Sequence, residues 1–191
     1  MIFKIENIDL KLIKPDICRL CGNNIRINLK YKSVPFLFKT PKLNTIFGYN
    51  NNFNSNLVNL KLFVSSIDKS NEEFKIFLNK LDRHINNNLN YYLQTMSQNY
   101  KGFDKKTSIY KDTVNKHKEN LYINVYTDQN TSIYNETKKK VTNKEIIPFS
   151  YLKSILHLSH ININIQTQII SLFFKMIQCK IFKPYVSFNE C

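Results

Sequence analysis

Alternation of apolar and polar residues indicates that most of this chain forms β-strands. An apolar residue at every second position places one set of side chains in a core and leaves the other set outside. The clearest alternation lies at 25–31, 57–65, 121–126 and 161–166. Looser patterns predict further strands at 2–12, 34–39 and 170–183, and the apolar stretch at 150–158 is ambiguous.

Turn-forming residues divide these segments. We expect Pro15-Asp16 to end the first strand, and Thr40-Pro41 and Phe47-Gly48 to mark a loop, because proline cannot donate to a ladder and glycine favours turns. An asparagine-rich turn is predicted at 49–56. The polar segment 127–144 is predicted to form a hairpin-like excursion.

One amphipathic helix is predicted at about residues 70–90. Ser70 and Glu73 fit a capping box, in which the serine oxygen accepts a backbone N–H and the glutamate reaches back to the cap. The stripe that follows has the spacing of a helix with one buried face, and consists of Phe74, Phe77, Leu78, Leu81, Ile85 and Leu89. The asparagines at 86–88 are expected to weaken its end. Several strands with one helix predict an all-β to α+β barrel with extended loops, in a single domain, 1–191.

Positive charge is concentrated in segments that also carry strand patterns. The chain has 28 basic and 14 acidic residues, a net charge of +14. Neither 17–67 nor 146–189 contains an acidic residue, although both contain several lysines. A basic tail serves solubility, whereas charge placed on folded strands creates a surface field that suits a polyanion. The sequence therefore predicts binding to nucleic acid.

The polar faces of the predicted strands supply the candidate contacts. Lysine and arginine neutralise phosphates, while tyrosine and phenylalanine stack on bases of any identity. The predicted phosphate contacts are Arg26, Lys30, Lys32, Lys39, Lys42, Lys61, Lys175 and Lys180. The predicted stacking residues are Phe63, Tyr122 and Tyr126. The ring of Phe63 has an alternative role, which is to cover a helix.

Two further basic segments have competing interpretations. Between 91 and 120, aromatic residues interleave with lysines, which suits a clamp on a single strand. The same composition is typical of loops encoded by an AT-rich genome. The lysine run at 138–140 favours a solvated loop.

Catalytic and metal-binding motifs are not expected in this sequence. Three glycines cannot build a phosphate-binding loop, and the predicted strands lack the carboxylates of a two-metal nuclease. The C-x-x-C that starts at Cys18 and the H-x-x-H that starts at His157 suggest a zinc site, but the two pairs are far apart in sequence. We predict a non-enzymatic protein with no cofactor and no metal. Its apolar stretch at 169–182 is interrupted by lysines, so no membrane partner is expected and an intracellular protein is predicted.

The order of these strands, turns and helix matches that of a known family. The features are the strand at 25–31, the apolar strand that ends in Thr40-Pro41, the strand and helix at 60–85, and the final run of strands. Together, over roughly 20–183, they resemble the single-stranded DNA-binding proteins of nucleocytoplasmic large DNA viruses, which are related to the T7-type phage protein.

The resemblance implies an OB-fold-like closed β-barrel that binds single-stranded DNA without sequence preference during viral DNA replication and recombination. It implies a location at the virus replication site in the host cell, in the cytoplasm or the nucleus, and leaves open replication proteins and a second copy of the chain as partners. Phage relatives end in an acidic tail that recruits partners, but 186–191 carry one acidic residue, so tail-mediated recruitment is not expected. The alternative function is a basic structural or virion-packaging protein that binds nucleic acid or an acidic partner generically.

Overall fold

The computed structural model describes residues 1–48, 57–64, 68–95, 108–117 and 120–183 as one mixed sheet of twelve strands with one α-helix. The strands are β1 (Ile13–Cys21), β2 (Asn24–Tyr31), β3 (Val34–Pro35), β4 (Leu37–Thr45), β5 (Leu57–Phe63), β6 (Ile109–Tyr110), β7 (Asn115–His117), β8 (Asn120–Asp128), β9 (Ser132–Tyr134), β10 (Lys140–Val141), β11 (Ser150–Asn164) and β12 (Ile169–Phe182). The helix α1 is Lys69–Thr95. This architecture agrees with the predicted all-β to α+β class.

Five strands are connected in a circuit of hydrogen-bonded pairs. β4 pairs with β5, β5 with β8, β8 with β12, β12 with β11, and β11 pairs again with β4. The β8–β12 pair is parallel and the other four are antiparallel. The circuit gives the sheet an inner face, which holds the core, and an outer face, which carries the polar side chains.

The long strand β11 joins this circuit to the β1–β2 hairpin. One edge of β11 pairs with β4 along 150–157 and with β2 along 160–164, while the other edge pairs with β12. The register with β12 shifts near Ile155 and again near Ser159. The first shift leaves the alternation of β11 unbroken, since residues 150, 152, 154, 156 and 158 are all buried. The sequence pattern is ambiguous there because two of these core positions, Ser150 and Ser154, are polar.

The core lies on the inner face and is covered by α1. The ring of Phe38 lies 5.4 Å from that of Phe77 and 6.4 Å from that of Phe74, both on the helix, and 6.1 Å from that of Phe174 on β12. Burial of an aromatic side chain contributes about 1.5–3 kcal/mol, so this cluster is a major source of stability. The predicted helical stripe is confirmed, since every member is buried: Phe74, Phe77, Leu78, Leu81, Ile85 and Leu89.

The N-terminal segment does not form the predicted strand at 2–12. It makes two short 3-10 turns, and the carboxylate of Asp9 caps the second by accepting the N–H of Lys11 at 3.1 Å. The prediction that Pro15-Asp16 ends a strand is also wrong, because both residues lie inside β1. β1 is an edge strand with a register shift just after Pro15, so the missing N–H of proline leaves no central ladder bond unmade.

Thr40-Pro41 lies inside β4 rather than in the predicted loop. The register of β4 with β11 shifts at this point. The hydroxyl of Thr40 accepts the N–H of Ser154 at 3.0 Å. A side chain therefore replaces the ladder bond that is lost at the bulge, which explains how proline is accommodated within a strand.

The helix is capped by a different residue from the one predicted. The carboxylate of Asp68 accepts both the N–H and the hydroxyl of Ser70 at 2.8 Å, so the predicted capping box of Ser70 and Glu73 is wrong. α1 continues past the asparagines at 86–88 to Thr95, beyond the predicted end at about residue 90. Leu89 continues the buried stripe beyond them, and its burial outweighs their low helix propensity.

The strands predicted at 25–31, 57–65, 121–126, 161–166 and 170–183 are matched, over the described residues, by β2, β5, β8, β11 and β12. The strand predicted at 34–39 is divided at Phe36 between β3 and β4. The β9–β10 hairpin lies within the predicted excursion at 127–144. The predicted turn at 49–56 and the part of the basic segment at 96–107 lie outside the described residues. Among the described residues, no helix combines the length and the apolar character needed to cross a membrane.

Candidate functional site

A groove of about 380 Å³ lies on the outer face of the sheet, between the β2–β11–β12 region and β8. We call it the amide groove, because asparagines from four elements line it. Its lining also includes the cations Arg26 and Lys111, the carboxylate of Asp112, and the rings of Tyr126, His160 and Phe173. Cationic, amide and aromatic groups thus converge in one concave place.

Three rings stack beside one another in the amide groove, and we call Tyr126, Phe173 and His160 the ring column. The ring of Phe173 on β12 lies 4.2 Å from that of Tyr126 on β8, with planes 9° apart, and 4.5 Å from that of His160 on β11, with planes 17° apart. Burial lowers the pKa of His160 to about 4, so its imidazole is neutral near pH 7 and packs as an aromatic ring. Tyr126 and Phe173 are half-buried, and their remaining surface lines the groove.

The asparagine side chains are held by bonds across neighbouring strands. The amide nitrogen of Asn162 donates to the side-chain oxygen of Asn24 at 3.2 Å, and that of Asn59 donates to the side-chain oxygen of Asn124 at 3.4 Å. An amide carries both donors and an acceptor. The groove therefore presents fixed groups that can hydrogen-bond to a ligand as donor or as acceptor.

One wall of the amide groove is formed by the segment 108–117, which is anchored to the helix by Asp82. The buried carboxylate of Asp82 accepts the N–H of Thr113 at 2.8 Å, its hydroxyl at 2.6 Å and the hydroxyl of Tyr110 at 3.0 Å. Burial raises the pKa of Asp82, although the bonds from Thr113 and Tyr110 lower it. The carboxylate thus fixes Lys111, on the same segment, at the edge of the groove.

Replacement of Asp82 by asparagine is expected to lower the free energy of unfolding by about 1–3 kcal/mol. Three donors converge on this carboxylate, and an amide offers a single acceptor oxygen and places its own donors against them. Chemical denaturation measures the change. Asp112→Asn is the matched control, because Asp112 is exposed on the same segment. Equal stability of the two variants would show that the Asp82 carboxylate does not anchor the wall.

A second group of rings surrounds Lys61 on the outer face of β5, and we call Phe47, Lys61, Phe63 and Tyr122 the Lys61 cluster. The ammonium of Lys61 lies 5.0 Å from the ring centroid of Tyr122 and 5.6 Å from that of Phe47. Phe63 lies between those two rings, at 5.9 and 6.3 Å, and is 9% exposed. Phe63 therefore supports the cluster from below, and the exposed ring is that of Phe47.

Gly48 fixes the chain that carries Phe47. Its φ is +62°, and a Cβ at this position would lie 2.7 Å from the nitrogen of Pro148 and 2.8 Å from the carbonyl oxygen of Ile146. Only glycine fits so close to another backbone segment in that conformation. The Lys61 cluster thus depends on a close approach that holds Phe47 over β5.

The two sets of rings lie along one strand. Tyr122, Asn124 and Tyr126 alternate on the outer face of β8, while Ile123 and Val125 are fully buried on its inner face. Tyr122 belongs to the Lys61 cluster and Tyr126 to the amide groove, so β8 joins them into one continuous surface. The predicted stacking residues are therefore placed on the same face.

Two of the predicted phosphate contacts are engaged in ion pairs. The ammonium of Lys30 lies 2.7 Å from the carboxylate of Asp16, and that of Lys175 lies 2.6 Å from the carboxylate of Asp128. Burial raises the pKa of Asp128, but the hydrogen bond and charge of Lys175, together with the bond from an amide N–H, outweigh it and hold that pKa below its usual value. Both lysines must exchange a partner before they can contact a phosphate.

The remaining predicted cations occupy different parts of the outer face. Arg26 is exposed at the amide groove, opposite Asn162 on β11. Lys32 follows β2 in a turn and Lys39 is exposed on β4, and neither lines the groove. Lys42 and Lys180 lie on β4 and β12, away from the groove along these strands.

Comparisons with known proteins give structural matches only. No protein-family model matches this chain, and no curated protein matches it. The solved structure of gp2.5, a single-stranded DNA binding protein encoded by bacteriophage T7, is 11% identical, with a TM-score of 0.48, over 77% of this chain and 86% of that one. The single-stranded DNA-binding protein from bacteriophage Enc34 is 8% identical, with a TM-score of 0.49, over 93% of this chain and 94% of that one. The same Enc34 protein in complex with ssDNA gives a TM-score of 0.47 at 8% identity, over 90% and 96%.

These structural neighbours are phage single-stranded DNA-binding proteins. The resemblance to the family from large DNA viruses stays a prediction.

Several residues of the site were not predicted from the sequence. Phe173 is the most informative, because adjacent residues on a strand point to opposite faces and only one of Phe173 and Phe174 can lie in the core. Phe174 is the buried one. The adjacent pair of phenylalanines was therefore the sequence signal for an outward ring on β12. The position of His160 in the ring column had no signal, because a bulge precedes it in β11.

The predicted zinc alternative receives no support from the placement of its residues. Cys18 and Cys21 lie on β1, whereas the His160 ring is stacked on Phe173 in β11. Over the described part of the chain, no three histidine, cysteine or acidic side chains come together in a way that could hold a metal ion.

Proposed function

We propose that this protein binds single-stranded DNA without sequence preference, along the outer face that carries the amide groove and the Lys61 cluster. The observation that carries the proposal is the ring of Tyr126, which is held parallel to Phe173 in a groove that also contains Arg26 and several amides. Rings that stack on bases and cations that contact phosphates are the two requirements of a single-strand site.

The chemistry of the groove favours single strands over duplex. A ring can stack on a base only when one face of the base is free, and a duplex hides both faces against neighbouring base pairs. Every base has such a face, so stacking discriminates little between sequences. Amides that donate and accept add bonds to different base edges without requiring one of them.

The sheet supports this proposal through the position of the site. We interpret the five-strand circuit as a closed barrel of the OB type, in which β4, β5, β8, β11 and β12 are the first to fifth strands. In OB-folds the second and third strands and the adjacent loops bind oligonucleotides. β5 and β8 take those places here, and they carry Lys61, Tyr122 and Tyr126.

We further propose that the protein acts in replication and recombination of viral DNA at the replication site in the host cell. This part rests on the sequence resemblance. Replication proteins and a second copy of the chain are its proposed partners besides DNA, and its proposed role is coating and protection, without catalysis.

The test of the proposed function is a fluorescence titration with oligo-dT and with a duplex of the same length, each at low and at high salt. We expect tighter binding to oligo-dT at both salt concentrations, and an affinity that falls steeply with salt because phosphate contacts release cations. Oligo-rU in the same assay compares RNA with DNA.

Equal affinity for oligo-dT and duplex, with the same salt dependence, would contradict the proposal. That result would favour the basic structural or packaging protein, since a generic polyanion site responds to charge density rather than to free bases. Absence of binding to any nucleic acid would contradict the proposal and would leave only the form of the alternative that binds an acidic partner.

A further inference from the structure

Three lysines stand in a row on the outer face, away from the amide groove. Lys153 of β11 is directly opposite Lys42 of β4 on one side and Lys180 of β12 on the other. We call these three residues the lysine row. Like charges directly opposite on neighbouring strands destabilise a sheet. Among the described residues, the four ion pairs involve none of the three.

Two aromatic rings lie beside the lysine row. The ammonium of Lys42 is 4.4 Å from the ring centroid of Phe182 and 4.9 Å from that of Tyr151, and the ammonium of Lys180 is 5.2 Å from that of Phe182. The ring of Tyr151 is 39% exposed and that of Phe182 is half-buried. The row thus repeats the combination of cation and ring that is present at the Lys61 cluster.

The strand registers connect the lysine row to the Lys61 cluster. Phe63 of β5 is opposite Asn44 of β4, and Asn44 is opposite Tyr151 of β11. A single asparagine therefore separates the rings of the cluster from the rings of the row. Along β12, the row is seven residues from Phe173, which is about 23 Å in an extended strand.

We propose that the lysine row is a second part of the binding surface, which takes the phosphodiester backbone of the same single strand where it leaves the Lys61 cluster. Phosphates relieve the repulsion among the three ammonium groups, and Tyr151 and Phe182 offer rings to the bases. This inference rests on the proposed function. It extends the surface from β5 and β8 across β4, β11 and β12, so that a longer strand gains contacts that a short one does not reach.

The test compares Lys153→Glu with the unaltered protein in titrations with oligo-dT of about 4 and about 16 nucleotides, which span the site sizes of single OB-folds. We expect the variant to bind the longer strand about tenfold more weakly, with a salt slope smaller by about 0.7 or more, and to bind the short strand unchanged. We also expect its resistance to denaturant to rise, because a glutamate between two lysines replaces repulsion with attraction.

Lys139→Glu is the matched control, since Lys139 is an exposed lysine in the β9–β10 turn. Equal loss of affinity for both strand lengths would mean that the lysine row belongs to the same site as the amide groove and the Lys61 cluster. That result would overturn the inference that the row is a second part of the surface. Unchanged binding of both lengths would overturn the inference and leave the proposed function standing. Two short strands bound per protein would mean that the row takes a separate strand, which also overturns it. Failure of the unaltered protein to bind either length is the failure of the proposed function.

Discussion

Replacement of Tyr126 by alanine is expected to weaken binding of oligo-dT by about 5- to 150-fold, which corresponds to the 1–3 kcal/mol of one base stacked on one aromatic ring. Tyr126 is the predicted stacking residue with the most defined geometry, since its ring lies parallel to that of Phe173 at 4.2 Å. Loss of the ring removes a stacking surface from the groove and one partner from the column. Fluorescence titration at fixed salt measures the change.

Tyr126→Phe is the control, because it retains the ring and loses only the hydroxyl. We expect it to bind within about twofold of the unaltered protein if stacking is the dominant contribution. Denaturation of both variants separates a binding effect from a folding effect, since the half-buried ring also contributes to packing. Unchanged affinity of a folded Tyr126→Ala protein would show that the ring column is not part of the binding site.

The second large effect is expected from the double replacement Arg26→Ala and Lys61→Ala. Arg26 lies at the amide groove and Lys61 at the centre of the neighbouring cluster, and neither forms an ion pair with a described residue. Each phosphate contact on a single strand contributes about 0.7 to the slope of log affinity against log salt. Loss of two contacts therefore reduces the magnitude of that slope by about 1.4.

The matched control for this experiment is the double replacement Lys80→Ala and Lys139→Ala. It removes the same net charge from exposed positions on α1 and in the β9–β10 turn. We expect the control to change the slope far less, because surface charges beyond a Debye length are screened. Equal slopes for the two double variants would mean that net charge alone drives binding, without a defined site.

The outer face of β8 shows how much of the site a sequence can specify. Its alternation is unbroken, so the strand and the outward direction of Tyr122 and Tyr126 follow from the period of two. The same rule predicted that the side chains of Arg26 and Lys61 lie on the outer faces of their strands. Which outward side chains come together depends on the order of strands, and β8 meets β12 through a parallel pairing between strands distant in the chain. Periodicity carries no information about such a pairing.

The ion-paired lysines show a second limit. Asp16 stands in a strand that was predicted to have ended, and Asp128 lies at the end of β8, so neither carboxylate was expected beside a lysine on a neighbouring strand. A local proline rule failed at Pro15 because an edge strand tolerates it. Because β1 was predicted to end at Pro15-Asp16, the ion pair between Asp16 and Lys30 was not foreseen when Lys30 was predicted to contact a phosphate.

Photo-crosslinking with mass spectrometry identifies the residues that contact the bound strand. Oligo-dT that carries photoreactive halogenated uridine is irradiated in complex with the protein, and the modified residues are mapped. We expect crosslinks at Tyr126, Phe173 and Tyr122, on the outer face of β8 and β12. Crosslinks confined to the exposed side of α1, or spread evenly over the surface, would contradict this expectation.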